Sequence, residues 1–208
     1  MNKGMFIVVE GGDGSGKTTL IKVMEKYFTE KGYDVLTTRE PGGVASAEKI
    51  REVILGEEVD SITEALLFAS ARREHLVKKV VPALKEGKII LCDRFVYSSL
   101  AYQGYARELG IENVYSINKP VINNLMPEVT IFLDVPPEKG LERIAKNRSN
   151  EVNRLDLEGL EFHTKVREGY LKAIEMYPEN QVIAVDGNRH IDVVFEDVKN
   201  ELEKLYSI

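Results

Sequence analysis

Gly11-Gly12-Asp13-Gly14-Ser15-Gly16-Lys17-Thr18 places four glycines, a lysine and a hydroxyl at the spacing G-x-x-x-x-G-K-[ST]. Glycines let the backbone curl until its N–H groups converge on phosphate oxygens at a helix N-terminus. Lys17 adds a mobile positive charge for β- and γ-phosphates, and the Thr18 hydroxyl suits Mg²⁺. Gly11 through Thr19 are therefore expected to hold a nucleoside triphosphate. Asp13 is the exception, because a carboxylate in an anion-binding loop is repelled unless it faces something else. A sugar hydroxyl or a water in the magnesium shell would serve; a solvated loop position is the plainer alternative. A second charged element closes the apolar run Ile89–Cys92. There Asp93 is expected in the magnesium shell and Arg94 on a second phosphate, unless the two form a surface ion pair.

These residues need a scaffold. Five short β-branched runs read as strands: Phe6–Val9, Tyr33–Thr37, Ile89–Cys92, Val129–Val135 and Val182–Val185. Several are apolar throughout, as expected of parallel strands covered on both faces. Between them, Leu20, Val23, Met24, Tyr27 and Phe28 fall on one helix face that Gly32 ends. Ser61-Ile62-Thr63-Glu64 has capping-box spacing and predicts a long helix through Leu66, Leu67 and Leu76, with Pro82 kinking or ending it. Phe162, Val166, Tyr170 and Ile174 repeat every four residues, and Val194, Val198, Leu202 and Leu205 keep a helical spacing. Alternating strands and helices predict one α/β domain over residues 1–208, with a five-stranded parallel sheet and helices on both faces.

The bulk properties narrow the chemistry. A net charge of −6 argues against a nucleic-acid surface. Cys92 is the single cysteine, in an apolar run, so a buried inert thiol in a reducing compartment is expected. The apolar stretch before Glu10 is too short for a signal peptide or membrane span, which predicts a cytoplasmic protein without membrane contact. His75, His163 and His190 show no metal-ligand spacing, so the metal is expected to be Mg²⁺ held mostly by nucleotide phosphates. Asn118-Lys119 is followed by Pro120 and Val121, which lacks the aspartate of a guanine-reading motif. One phosphate loop with arginines spread along a short chain suits phosphoryl transfer between two small ligands.

Four stretches in order carry a more specific resemblance: the phosphate loop, Arg39-Glu40-Pro41-Gly42-Gly43, Leu66-Leu67-Phe68-Ala69-Ser70-Ala71-Arg72-Arg73-Glu74-His75, and Asp93-Arg94-Phe95-Val96-Tyr97-Ser98-Ser99-Leu100-Ala101-Tyr102-Gln103. Together they resemble the thymidylate kinase family, particularly its bacterial branch, over nearly the whole chain. The resemblance implies a P-loop NTPase fold with a mobile lid, Mg·ATP as donor, thymidine 5′-monophosphate as acceptor, and a homodimer. It implies that Arg39 and Arg94 bind the acceptor phosphate, and that Glu40–Pro41 is cis. It also implies that Phe68 stacks on the base and Arg72 hydrogen-bonds it. Ser99 and Gln103 match polar positions near the base, Tyr102 the tyrosine under the deoxyribose, and Asp13 the carboxylate facing the acceptor's sugar.

The basic stretch from Glu138 to Glu158 resembles the family's lid, with Arg143 at the ATP and Arg148 and Arg154 on the transferring phosphoryl. Gly14 stands where one branch carries a phosphate-loop arginine, which is why the lid must supply that charge. Tyr97 departs from the acidic or small residue frequent at its position, and Asn153 from the usual aspartate. Asp186-Gly187 is expected beside the donor base or as a plain turn. Two rivals stand beside the kinase reading. A deoxynucleoside kinase would need a carboxylate base and no second phosphate clamp. A catalytically silent nucleotide-binding adaptor would leave both acceptor arginines without a task.

Overall fold

A computed structural model describes residues 4–147 and 158–206. β1 (Met5–Gly11), β2 (Val35–Arg39), β3 (Ile89–Asp93), β4 (Val129–Asp134) and β5 (Val182–Asp186) form one sheet in the order β2-β3-β1-β4-β5, every pair parallel. All five expected strands are present. Alternate side chains of β1 face opposite layers, as a period of two requires. Phe6 and Val8 pack with Ile90, Cys92 and Phe132 on one face. Ile7 and Val9 pack with Leu91, Ile131 and Val185 on the other.

α1 (Lys17–Glu30) and α9 (Ile191–Leu205) cover the second face through Leu20, Met24, Phe28, Val194, Val198 and Leu202. Leu205, expected on the same apolar face, is exposed at the helix end. α3 (Ser61–His75), α5 (Val96–Ser99), α6 (Ile111–Ile122) and α8 (Leu160–Met176) lie on the first face, with α2 (Ala45–Gly56) packed outside α3. Tyr170 and Val166 of α8 are buried there against Ala101 and Tyr102 of the π-helical segment Leu100–Ala106.

Two local expectations change. The α3 cap is Asp60, whose Oδ1 accepts from the Ile62 and Thr63 N–H groups at 3.0 and 3.2 Å. Its carboxylate is better placed than the Ser61 hydroxyl, since it ends one residue earlier and also complements the helix dipole. Glu64 turns inward and accepts from Gln103 Nε2 at 2.9 Å. Asp60→Ala is expected to lower the melting temperature by about 2–4 °C with no change in turnover, which a thermal scan beside an activity assay checks.

Of the two outcomes expected at Pro82, a kink or an end, the helix does not end there. The chain runs from α3 through a π-helical turn, Leu76–Val80, into α4 (Val81–Lys85). Pro82 sits in the first turn of α4, where the widened turn before it removes the usual clash and the need for its N–H. The helix stops at Glu86, followed by Gly87 at φ 81°.

Candidate active site

The phosphate loop joins β1 to α1, with Gly16 at φ 97° opening the helix. Lys17 Nζ folds back onto its own loop, donating to the Gly11 and Gly12 carbonyls at 3.0 and 2.8 Å. Burial, then the Arg94 charge, pushes its pKa down to about 8. At the mouth of the loop the Thr18 hydroxyl donates to Asp93 Oδ2 at 3.1 Å. A groove of about 560 Å³ opens beside these residues, lined by Gly14 to Thr19, Arg143, Gly187 and Arg189. Arg143 reaches it from α7 (Pro137–Asn147), with Nη1 on the Gly187 carbonyl at 3.2 Å and Nη2 on Asn188 Oδ1 at 3.1 Å. The turn after β5 thus borders this groove.

The other side of the same loop faces a tighter recess of about 100 Å³, lined by Asp13, Glu40, Arg51, Phe68, Arg94, Ser99, Tyr102 and Gln103 among others. Arg94 leaves β3 in the left-handed region, φ 72°, with its N–H on the Val9 carbonyl at 2.9 Å. That turn throws its guanidinium across the strand ends. Nη2 donates to Asp13 Oδ1 at 2.5 Å and to the Tyr102 hydroxyl at 3.2 Å. Nη1 donates to the Gly11 carbonyl, Ser98 Oγ and the Tyr170 hydroxyl at 3.1–3.2 Å.

Tyr102 in turn donates to Asp13 Oδ2 at 2.7 Å. Burial alone would raise the Asp13 carboxyl, but the Arg94 and Lys17 charges and the Tyr102 hydrogen bond outweigh it and hold the pKa low. Asp13 therefore stays ionised and lines the tighter recess, not the wider groove. Glu10, fully buried, accepts from the Phe95 and Ser98 N–H groups at 2.8 and 3.1 Å and from the Ser98 hydroxyl at 2.6 Å, fixing the start of α5 behind Arg94.

Some expected residues lie elsewhere. Arg39 is half exposed and donates to both Glu48 carboxylate oxygens at 3.0–3.1 Å, so in this conformation it does not line the recess. Arg51 of α2 does, with Nη1 on the Pro41 carbonyl at 3.1 Å. Arg72 is 2% exposed. It donates to Glu40 Oε2 at 2.7 Å, the Phe95 carbonyl at 2.9 Å, Ser99 Oγ at 3.2 Å and Asn118 Oδ1. That geometry makes it a strut tying α3 to Glu40 and α5. His75, also buried, holds Glu40 Oε1 at 2.9 Å and Thr38 Oγ1 at 2.8 Å. The Glu40–Pro41 bond is cis.

Tyr97 is buried in the core and accepts from Asn180 Nδ2, away from both recesses. Cys92 is fully buried, and burial raises its thiol well above the ordinary value. Arg148 and Arg154 lie outside the described residues, as does Asn153. His163 is 5% exposed, 3.9 Å from Asp13, and its Nε2 is the one buried side-chain polar atom without a partner among the described residues. Among those residues no cluster of His, Cys, Asp or Glu is built to cage a metal, and no helix is long and apolar enough to cross a membrane.

This geometry has known counterparts. The thymidylate kinase family model matches residues 9–198. A thymidylate kinase of Clostridium novyi (strain NT) is 54% identical over 206 residues, covering 98% of this chain and all of the relative. One from Geobacillus sp. (strain WCH70) is 55% identical over 196 residues, 93% of each chain. The crystal structure of thymidylate kinase from Ehrlichia chaffeensis superposes with a TM-score of 0.76 at 32% identity, covering 96% of this chain and 98% of that one. A family match that spans the sheet, both recesses and the loop between them leaves one assignment: the chain belongs to the thymidylate kinase family.

Proposed function

We propose that the protein transfers the γ-phosphoryl group of Mg·ATP to thymidine 5′-monophosphate, giving ADP and the diphosphate. One observation carries this reading within the family. Asp13 and the residues from Gly14 to Lys17 are consecutive, yet they line different recesses, so a donor and an acceptor would meet across a single loop. A monophosphate oxygen attacks the γ-phosphorus, and the bond from that phosphorus to the ADP oxygen breaks. No general base is required, because the acceptor dianion is already a nucleophile.

Lys17 exchanges the Gly11 and Gly12 carbonyls for the β- and γ-phosphates. Arg94 and Arg51 hold the acceptor phosphate, Phe68 stacks on the base, and Tyr102 packs under the sugar. Gln103 and Ser99 complete the polar edge of the recess, with Arg72 and Glu40 keeping that wall in place. Thr18 and Asp93, an oxygen pair 3.1 Å apart at the loop's mouth, fit Mg²⁺, which takes oxygen ligands and otherwise relies on phosphates. Bound there, the metal would neutralise negative charge on the donor's phosphates. Arg148 and Arg154 supply further positive charge to the transferring group. Arg39 joins the acceptor clamp only by leaving Glu48.

A homodimer fits the exposed face of α3, where Ile62 and Leu66 are 57% and 49% exposed one turn apart. Residues 138–158 act as the lid of a one-domain kinase, and the cytoplasm is the compartment that suits a single buried thiol.

ADP formation across nucleoside monophosphates and free thymidine tests the reaction. Strong turnover with thymidine monophosphate, weaker with deoxyuridine monophosphate by about 10–200-fold, and none with thymidine is expected. Turnover of thymidine instead would move the protein to the nucleoside kinases. Arg51→Ala is expected to raise the acceptor KM about 10–100-fold, the worth of one charge-assisted hydrogen bond, with the ATP KM unchanged. Steady-state kinetics in each substrate separates the two constants.

A further inference from the structure

α7 stands directly on the phosphate loop. A Cβ on Gly140 would fall closer than 3.0 Å to the Asp13 carbonyl oxygen, and one on Gly14 would fall as close to the Gly140 carbonyl. Both obstacles are backbone, which cannot rotate aside as a side chain can. One turn on, Arg143 spans from α7 to the Gly187 carbonyl and Asn188, bordering the donor groove. Helix propensity opposes glycine at position 140, since alanine there would favour α7. The glycine is therefore explained by the contact and not by the helix.

We propose that Gly140 is a positioning residue for the donor site: its bare backbone lets α7 seat on Asp13–Gly14, and that seating aims Arg143 into the groove. The inference rests on reading the groove as the ATP site. A methyl at 140 meets a loop carbonyl whose own side chain is pinned by Arg94 and Tyr102. The loop is fixed on that side, so α7 is the partner that lifts. Lifting withdraws Arg143 from Gly187 and Asn188. Gly14 is bound by the same contact. At φ 71°, with the Gly140 carbonyl against it, position 14 admits no side chain while α7 is seated.

The test is Mg·ATP binding by titration calorimetry on the full chain, without acceptor. Gly140→Ala and Arg143→Ala are each expected to weaken Mg·ATP about tenfold, and the double variant to bind within about twofold of the weaker single one, because both remove one interaction. Affinity for thymidine monophosphate alone should stay within about threefold of the wild type. Gly4→Ala is the matched control, since its Cβ meets the Leu84 carbonyl just as closely but far from the groove. It should lower the melting temperature and leave Mg·ATP binding intact.

Wild-type affinity in Gly140→Ala, or losses that multiply in the double variant, would overturn the proposal. Should Gly140→Ala fail to fold, amide exchange in the wild type decides. Protection across residues 140–147 should rise when Mg·ATP binds, and no change there would overturn it equally. A wild type that binds no ATP would sink the donor-site reading and this inference together. ATP binding without thymidine monophosphate turnover would overturn the acceptor reading alone.

Discussion

Arg94→Ala loses about 10³-fold or more in kcat/KM for thymidine monophosphate, the scale of an arginine that stabilises phosphoryl-transfer charge, while Mg·ATP binding weakens only slightly. The size follows from the side chain's position. Its guanidinium is fixed by five contacts to Asp13, Tyr102, Gly11, Ser98 and Tyr170, so it is pre-aimed at the loop that separates the two recesses. Pre-aiming means little reorganisation when the acceptor dianion arrives and Arg94 exchanges part of its hold on Asp13 for the phosphate. Lysine at this position keeps a charge but loses the fork that reaches Asp13 and the phosphate together, so Arg94→Lys recovers only a fraction of the loss.

A stability effect accompanies it. Asp13 has its pKa held below 3.8, so it contributes stability above that pH and loses it as the pH falls through the folded value. Without Arg94 the carboxyl rises, and the contribution at neutral pH shrinks. Urea unfolding of wild type and variant at pH 7 and pH 4 should show the gap between them narrowing at the lower pH. A gap that widens instead would mean Asp13 is not the partner that matters.

The central strands were legible because parallel strands covered on both faces carry continuous apolar runs. Phe6–Val9 and Ile89–Cys92 read as strands for that reason, and both are fully buried or nearly so. The phosphate loop was legible because its chemistry is local, with every residue within one turn of the chain. Arg51 was not, since nothing in a helix of mixed charges marks the one arginine whose helix packs at the rim of the recess. Arg72 shows the opposite failure. Its place one turn after Phe68 suggests a shared face toward the base, but Glu40 lies 32 positions earlier and Asn118 46 later, and both draw the guanidinium inward. Glu40 itself read as one letter of a motif. Its function as the shared acceptor of Arg72 and His75 appears only when β2 and α3 are brought together. The Asp60 cap was missed for a simpler reason: two capping side chains stood in adjacent positions, and the carboxylate took the end.

Lys17→Ala lowers kcat by about 10²–10³-fold, as expected when a preorganised donor to developing charge is removed, and the wild type carries a pH signature that identifies the same residue. The lysine pKa is pushed down to about 8 in the unliganded fold, by burial first and the Arg94 charge second. Phosphates need the charged form. Below pH 8 it is present, and the ATP KM is flat. Above pH 8 the free enzyme loses the proton, and the KM should climb by up to about tenfold per pH unit, the limit for a single proton.

The linkage to folding runs the other way. Between about pH 8 and the ordinary lysine value of 10.5, the unfolded chain binds a proton that the fold does not. The contribution of Lys17 to stability therefore rises with pH through that window. ATP affinity falls while this part of the stability rises, a pairing that general alkaline denaturation cannot produce. Lys17→Arg, charged throughout, should abolish the KM slope even if its activity is low. A slope that survives the substitution would assign the titration to another group and remove Lys17 from the account of the phosphates.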